Sequence, residues 1–420
     1  MIHRPYQALA AVKWLAVLLP MAAIIGTASA FFLWSLDALT LVRFAHPWLL
    51  WLLPIGGLAV GWIYHHYGKA TASGNNLLID EIHEPGAGVP RRMAPLILLG
   101  TLITHLFGGS AGREGTAVQM GGGIAATFAR VLRLDDASVR LVLMAGVAAG
   151  FGAIFGTPIA GTVFALEVLV IGRIQYDALI PCFIASLVAD WTCAAWGIGH
   201  THYQVNVTTA GQHPDLWLFG KVVLAAIAFG LAGRLFAWCS HRLAKFMADV
   251  IVRPELRPVI GGLLVIGLFF LAGTPDYLGL GVIGNRAEAI TLPAMFTTME
   301  IPATAWLWKF VFTVVTLSAG FKGGEVTPLF FIGAALGNTL AVALGAPVDL
   351  FAALGFVAIF AGATNTPLAS TLLGMELFGA GNGLYLATAC FIAYRCSGHT
   401  GIYTAQRLAI PKFRALAHDK

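Results

Sequence analysis

Ser110-Ala111-Gly112-Arg113-Glu114-Gly115-Thr116 and Ser318-Ala319-Gly320-Phe321-Lys322-Gly323-Gly324-Glu325-Val326-Thr327 open two copies of one pattern. Thr157-Pro158-Ile159-Ala160-Gly161-Thr162 follows the first, with Glu167 beyond it; Thr366-Pro367-Leu368-Ala369-Ser370-Thr371 follows the second, with Glu376 beyond it. Ser110 and Thr157 are 47 positions apart, Ser318 and Thr366 are 48 apart. One shared tripeptide arises easily by chance, but two motifs at nearly equal spacing do not. Internal duplication with a site where the halves meet is the usual architecture of secondary transporters. The expected organisation is a first transmembrane half over residues 1–200, a polar connector at 201–215, a second half over 216–410 and a short tail at 411–420.

In both copies a glycine-rich polar segment runs into a helix. One helix is expected to begin near Glu114, the other near Thr327-Pro328, where proline suits a first turn because its missing N–H has no partner there. Helix starts leave amides unpaired and carry partial positive charge, so two of them converging would bind an anion without a full cation. Gly112 and Gly115 are candidate contacts, since glycine lets backbone approach an ion closely. Glycines also simply permit close helix packing in membranes, and that explanation suits Gly121-Gly122-Gly123 and Gly146–Gly152.

Composition sets the solvent. Of 420 residues, 58% are hydrophobic and 11% charged, too few charges to cover a soluble surface of that size. Apolar runs recur from Trp14–Trp34 to Leu384–Tyr394. Some reach the ~20 residues that cross a bilayer, while others are nearer 12–15 and suit broken or re-entrant helices surrounded by protein. An all-α polytopic membrane protein follows. The first run is too long for a signal peptide and is expected to be retained. The net charge of +5 comes from scattered residues with no basic, aromatic-interleaved run, so nucleic acid is not an expected partner. Arg4 and Lys13 before the first span, and Arg407, Lys412, Arg414 and Lys420 after the last, predict two cytoplasmic termini. Five cysteines without paired spacing read as small buried hydrophobes, and no metal-ligand cluster or phosphate-binding loop implies a cofactor.

Charges inside such a chain are expensive and mark function. Glu114 is the clearest. A carboxylate at a helix start occupies the place of a substrate anion, and protonation releases it, so one group can couple proton movement to anion movement. The plain alternative is an acid that stabilises its helix. Lys322 and Glu325 either pair with each other or Glu325 serves a proton path. Glu167 and Glu376 read as helix-end or interface acids, and Arg113 as a partner for a carboxylate.

The motifs resemble those of the CLC family. Gly112-Arg113-Glu114-Gly115-Thr116 is similar to its G-[KR]-E-G-P motif, Gly323-Gly324-Glu325-Val326-Thr327-Pro328 to G-G-x-F-x-P, and Gly74-Asn75-Asn76-Leu77-Leu78 falls where it has G-S-G-I-P. Tyr403 matches the tyrosine that members point at the central anion. The departures (Asn75 for the chloride-binding serine, Leu78 for proline, Val326 for phenylalanine, Glu325 and Thr327 for apolar or small residues, Val168 for the internal glutamate) resemble the fluoride-exporting branch. The resemblance implies a CLC-type inverted repeat, fluoride exchanged for protons, and a homodimer with one pathway per subunit. It implies Glu114 as the gating and proton-transfer glutamate, with Asn75, Gly112, Gly115, Glu325, Val326, Thr327 and Tyr403 around the substrate. Fluoride leaves water only for strong donors, which the Asn75 amide, Thr327 hydroxyl, Tyr403 phenol and helix-start amides supply.

A chloride/proton antiporter or a passive anion channel of the same fold is the alternative. A membrane enzyme or scaffold is a third class, but no nucleophile–base pair or metal set converges. The segment Leu408–Lys420 leaves no room for a cytoplasmic nucleotide-binding pair, and a multi-pass location in the cell inner membrane is expected.

Overall fold

The computed structural model describes residues 4–201, 203–206, 215–297 and 299–413, so most of the expected connector at 201–215 and the end of the 411–420 tail lie outside the described residues. The first half holds α1 (Arg4–Ala45), α2 (Leu53–Tyr67), α3 (Asn75–His83), α4 (Met93–Leu106), α5 (Glu114–Val131), α6 (Asp136–Phe155), α7 (Pro158–Glu167) and α8 (Leu179–Ala195). The second holds α9 (Leu216–Val250), α10 (Arg257–Ala272), α11 (Ala305–Ser318), α12 (Val326–Leu344), α13 (Val348–Thr364), α14 (Pro367–Phe378) and α15 (Gly383–Cys396). A short parallel pair, β1 (Val170–Ile171) with β2 (Arg407–Leu408), ties the end of the chain to the first half.

The motif copies fall on matching elements: α4 and α11 lead into the glycine segments, α5 and α12 leave them, and the Thr-Pro pairs start α7 and α14. Contacts across the halves are reciprocal, as a pseudo-two-fold axis requires. Gly112 N donates to Gly324 O at 2.6 Å, and Gly324 N to Gly112 O at 2.8 Å. Glu167, at the end of α7, accepts from the Leu368 and Ala369 amides at the start of α14, at 3.1 and 2.8 Å. Glu376, near the end of α14, accepts from Ile159 and Ala160 at the start of α7, at 3.0 and 2.7 Å. Each glutamate thus satisfies amides that the partner helix cannot bond internally, which is the interface role read from the sequence.

Seven helices among the described residues are long and apolar enough to cross a membrane. At 1.5 Å per residue α1, with 42 residues, is about 60 Å long, roughly twice a hydrocarbon core. The short apolar helices α4, α7, α11, α13 and α14 do not reach across alone. The short α7 packs on α6, and α11 and α13 pack on α12, and those two partners are 78% buried in their apolar windows, against 22% for the peripheral α10, so these short helices adjoin protein and not only lipid. Glycine sets the central crossings. A Cβ on Gly121 would lie 2.2 Å from Gly146 O, and one on Gly333 would lie 2.1 Å from Gly355 O. These are equivalent contacts of α5 on α6 and of α12 on α13, so the packing explanation for Gly121 and Gly146 holds. All five cysteines are free thiols.

Candidate functional site

The two glycine segments meet at the Gly112–Gly324 bridge, which sets the starts of α5 and α12 side by side. Glu114 is the first residue of α5, 1% exposed, and its side chain turns to the other helix. Its Oε2 accepts from the Thr327 amide at 2.9 Å and from the Thr327 hydroxyl, and also from the Arg113 amide at 3.2 Å. Its Oε1 has no hydrogen-bond donor and faces Arg113 Nε at 3.6 Å. One carboxylate oxygen therefore sits in a ring of donors at the start of α12, as a bound anion would. Ala117 N donates to Arg113 O, so the amides of Glu114, Gly115 and Thr116 precede the first intrahelical bond of α5.

The predicted residues separate into those that gather here and those that do not. Gly115 gathers: a Cβ on it would lie 3.3 Å from Asn75 Nδ2 and 3.8 Å from Glu325 Oε2. Asn75, Glu325 and Tyr403 line one cavity of about 150 Å³, with Gln119 and Lys322. Asn75 Oδ1 is buried without a donor. A constricted space on the other side of the carboxylate is bounded by Arg113, Glu114, Tyr203, Thr327 and Phe330. Tyr203 also borders a larger cavity of about 630 Å³ with Phe296 and Asp349. Glu114 and Thr327 line the constricted space, which shares Tyr203 with the larger cavity, while Asn75 and Glu325 of the 150 Å³ cavity approach Gly115, the residue after Glu114.

The geometry also bears on Gly112, on the open choice at Lys322 and Glu325, and on Val326. Gly112 does not lend its amide to a substrate, because Gly324 O takes it; a Cβ there would lie 2.8 Å from Pro328 Cδ and 2.9 Å from Gly324 O. Its role is to let the halves touch. Lys322 and Glu325 do not form an ion pair within 4.0 Å. The Lys322 ammonium lies 4.1 Å from the centroid of the Tyr64 ring, and its stem packs on Gly100. Val326 is buried as the first residue of α12 and borders neither space, so its side chain acts by packing.

Sequence reasoning passed over three polar residues. Gln119 was visible as a lone amide in a glycine- and alanine-rich helix, and it packs on Gly74 beside Asn75. Lys309 was visible as a lone cation in an apolar run. It is fully buried and donates to Tyr277 O and Gly279 O at 3.2 and 2.8 Å. Asn76 lines the same cavity as Asn75, and its Oδ1 accepts from the Ala405 amide at 3.1 Å. Among the described residues no group of three or more His, Cys, Asp or Glu could hold a metal ion.

A helical membrane protein of two antiparallel halves, with a carboxylate seated among helix-start donors on their axis, is the architecture of the CLC proteins. The family model described as voltage gated chloride channel matches residues 56–398, and the chain belongs to that family. It is 50% identical to a chloride/fluoride channel protein of Pseudomonas syringae pv. tomato, over 95% of this chain and 87% of the relative. It is 27% identical to the voltage-gated ClC-type chloride channel ClcB of Escherichia coli, over 83% of each. A crystal structure of a CLC-type fluoride/proton antiporter superposes with a TM-score of 0.89 at 36% identity, covering 95% of this chain and 98% of that one. A slow cyanobacterial Cl⁻/H⁺ antiporter shares the fold, with a TM-score of 0.79 at 18% identity and coverage of 93% and 96%.

Proposed function

We propose that this protein exports fluoride in exchange for protons, with Glu114 as the group that carries both couplings. The observation behind the proposal is the seat of its carboxylate on the Thr327 amide and hydroxyl. Deprotonated, the carboxylate fills the anion site. Protonated, it loses the charge that the helix starts favour and yields the donors to fluoride. Thr327 is then the inherited donor, and Asn75 and Tyr403, lining the neighbouring cavity, receive the ion as it moves on. Gly115 lets it pass close to the backbone of α5. Glu325, beside that path and unpaired with Lys322, offers a second proton-carrying carboxyl where Val168 offers none. The relatives named for fluoride, at 50% and 36% identity, support this reading.

The wider assignment belongs to the same proposal. The halves at 1–200 and 216–410 form one transport unit, the 201–215 segment links them, and both termini lie in the cytoplasm of a cell whose inner membrane the chain spans. The 150 Å³ cavity then opens inward. Two chains associate, each with its own pathway, and no bond of the substrate is made or broken, so the protein is a transporter and not an enzyme. Chloride exchange or passive anion flow is the second reading, favoured by the ClcB name at the lower identity of 27%. Purified protein in liposomes loaded with fluoride or chloride separates them. Fluoride efflux with proton uptake, so that the external medium alkalinises as fluoride appears in it, is expected. Equal chloride flux, or fluoride flux with no proton movement, overturns the proposal.

A further inference from the structure

The segment that carries Tyr403 contains little regular structure, yet side-chain amides hold it from three directions. Gln406 Nε2 donates to Val168 O and to Thr364 O, both at 2.7 Å, and its Oε1 accepts from Asn365 Nδ2 at 2.9 Å. Asn365 Nδ2 also donates to His399 O at 3.2 Å, and its Oδ1 accepts from Lys412 Nζ at 2.5 Å. On the opposite side Asn76 Oδ1 accepts from Ala405 N, two residues past Tyr403. The backbone is seated as closely: Ile402 N donates to Ala363 O at 2.8 Å, and a Cβ on Gly401 would lie 2.6 Å from that oxygen.

The repeat shows that one of these amides, Asn365, is not needed for the local turn. Asn365 ends α13 with φ +60°, and the equivalent position ending α6 is Gly156 with φ +70°. Glycine adopts that conformation more easily than asparagine. The second half nevertheless carries an amide there, and all its polar atoms are used on the Tyr403 segment and Lys412. Asn76 likewise follows Asn75 directly, so the residue next to one cavity donor fixes the backbone beside the other.

We propose that Gln406 and Asn76 are positioning residues for Tyr403, which set the spacing between the Tyr403 phenol and the Asn75 amide and thereby the preference of the cavity for a small anion over a larger one. This rests on the reading of that cavity as part of a fluoride pathway. Gln406 does not line the cavity; Asn76 does, but its Oδ1 is held by the Ala405 amide. Donors fixed by packing and outer hydrogen bonds cannot spread to suit a larger ion or close on a smaller one, and misplacement by about 1 Å costs as much as a hundredfold in comparable sites.

The test uses Gln406→Met and Asn76→Leu, with Asn76→Ser as the uncharged variant that keeps an oxygen acceptor on the side facing Ala405 N. Fluoride and chloride fluxes into liposomes are measured for each, alone and combined with Tyr403→Phe. Gln406→Met and Asn76→Leu are expected to lower the fluoride-to-chloride flux ratio roughly tenfold and raise the fluoride KM more than they change the maximal rate. Asn76→Ser is expected to recover the ratio lost in Asn76→Leu, and neither effect should add to that of Tyr403→Phe. An unchanged ratio, or full additivity with Tyr403→Phe, overturns the proposal. Amide exchange in the unaltered protein is a second measurement that needs no variant: Ala405 N–H is expected to be protected, and rapid exchange there also overturns it. Absence of fluoride flux in the wild type defeats instead the underlying functional reading.

Discussion

Thr327→Val removes one donor from the seat of the Glu114 carboxylate and keeps the shape of the side chain. Three donors reach Oε2: the Thr327 hydroxyl, the Thr327 amide at 2.9 Å and the Arg113 amide at 3.2 Å. The hydroxyl is the only one a side-chain change removes. A hydrogen bond to a charged group contributes about 1.5–3 kcal/mol, so its loss weakens a buried anion roughly ten- to a hundredfold. If fluoride and the carboxylate compete for this seat, both lose the same donor and the losses cancel in part. The apparent fluoride affinity of Thr327→Val alone therefore changes little. With Glu114→Ala the competitor is gone and the full loss appears. Isothermal titration of fluoride into the four proteins of this cycle, in detergent, measures both. A hundredfold loss in the Glu114-intact protein, or no loss in the Glu114→Ala protein, refutes the idea of a shared seat.

Other outcomes follow from the packing. Glu167→Ala strips two charge-assisted bonds from the start of α14 and is expected to cost about 2–4 kcal/mol, read as a lower thermal midpoint with fluoride KM unchanged. Gly333→Ala drives a Cβ to 2.1 Å from Gly355 O, so α12 and α13 must part; a loss of about 1–3 kcal/mol or more is expected, seen as less monodisperse protein by size exclusion. Lys309→Met leaves the Tyr277 and Gly279 carbonyls without their donor, and hydrogen exchange over 277–282 is expected to accelerate by roughly tenfold.

The duplication was legible because each copy kept its motif and spacing, and the starts of α5 and α12 fall within two residues of where glycine, glutamate and proline placed them. Glu114 stood out because a carboxylate in an apolar chain has few structural reasons to exist, and its expected place at a helix start is where the fold buries it. What could not be read was pairing across about 200 positions. Glu167 was legible as a helix-end or interface acid, but only the fold shows that the helix it serves is α14. Lys322 and Glu325 lie three apart, which would bring them together on a helix. They precede α12 instead, on a bent segment that sends Lys322 to Tyr64. Gly112 carried the signature of an anion loop, but a glycine lying on the axis contacts its own counterpart first. Gln406 gave no signal, because an amide that bonds backbone far away looks like any polar residue near a helix end, and Asn76 stood in the Gly-Asn-Asn motif without any sign of its bond to Ala405 N.

The most direct test of the account is fluoride efflux from liposomes with simultaneous recording of pH, comparing the unaltered protein with Glu114→Gln. The glutamine has the size of the protonated acid but cannot shed the proton. Efflux without proton movement, or no efflux, is the outcome predicted for it. Proton-coupled efflux at the normal rate from Glu114→Gln contradicts the account.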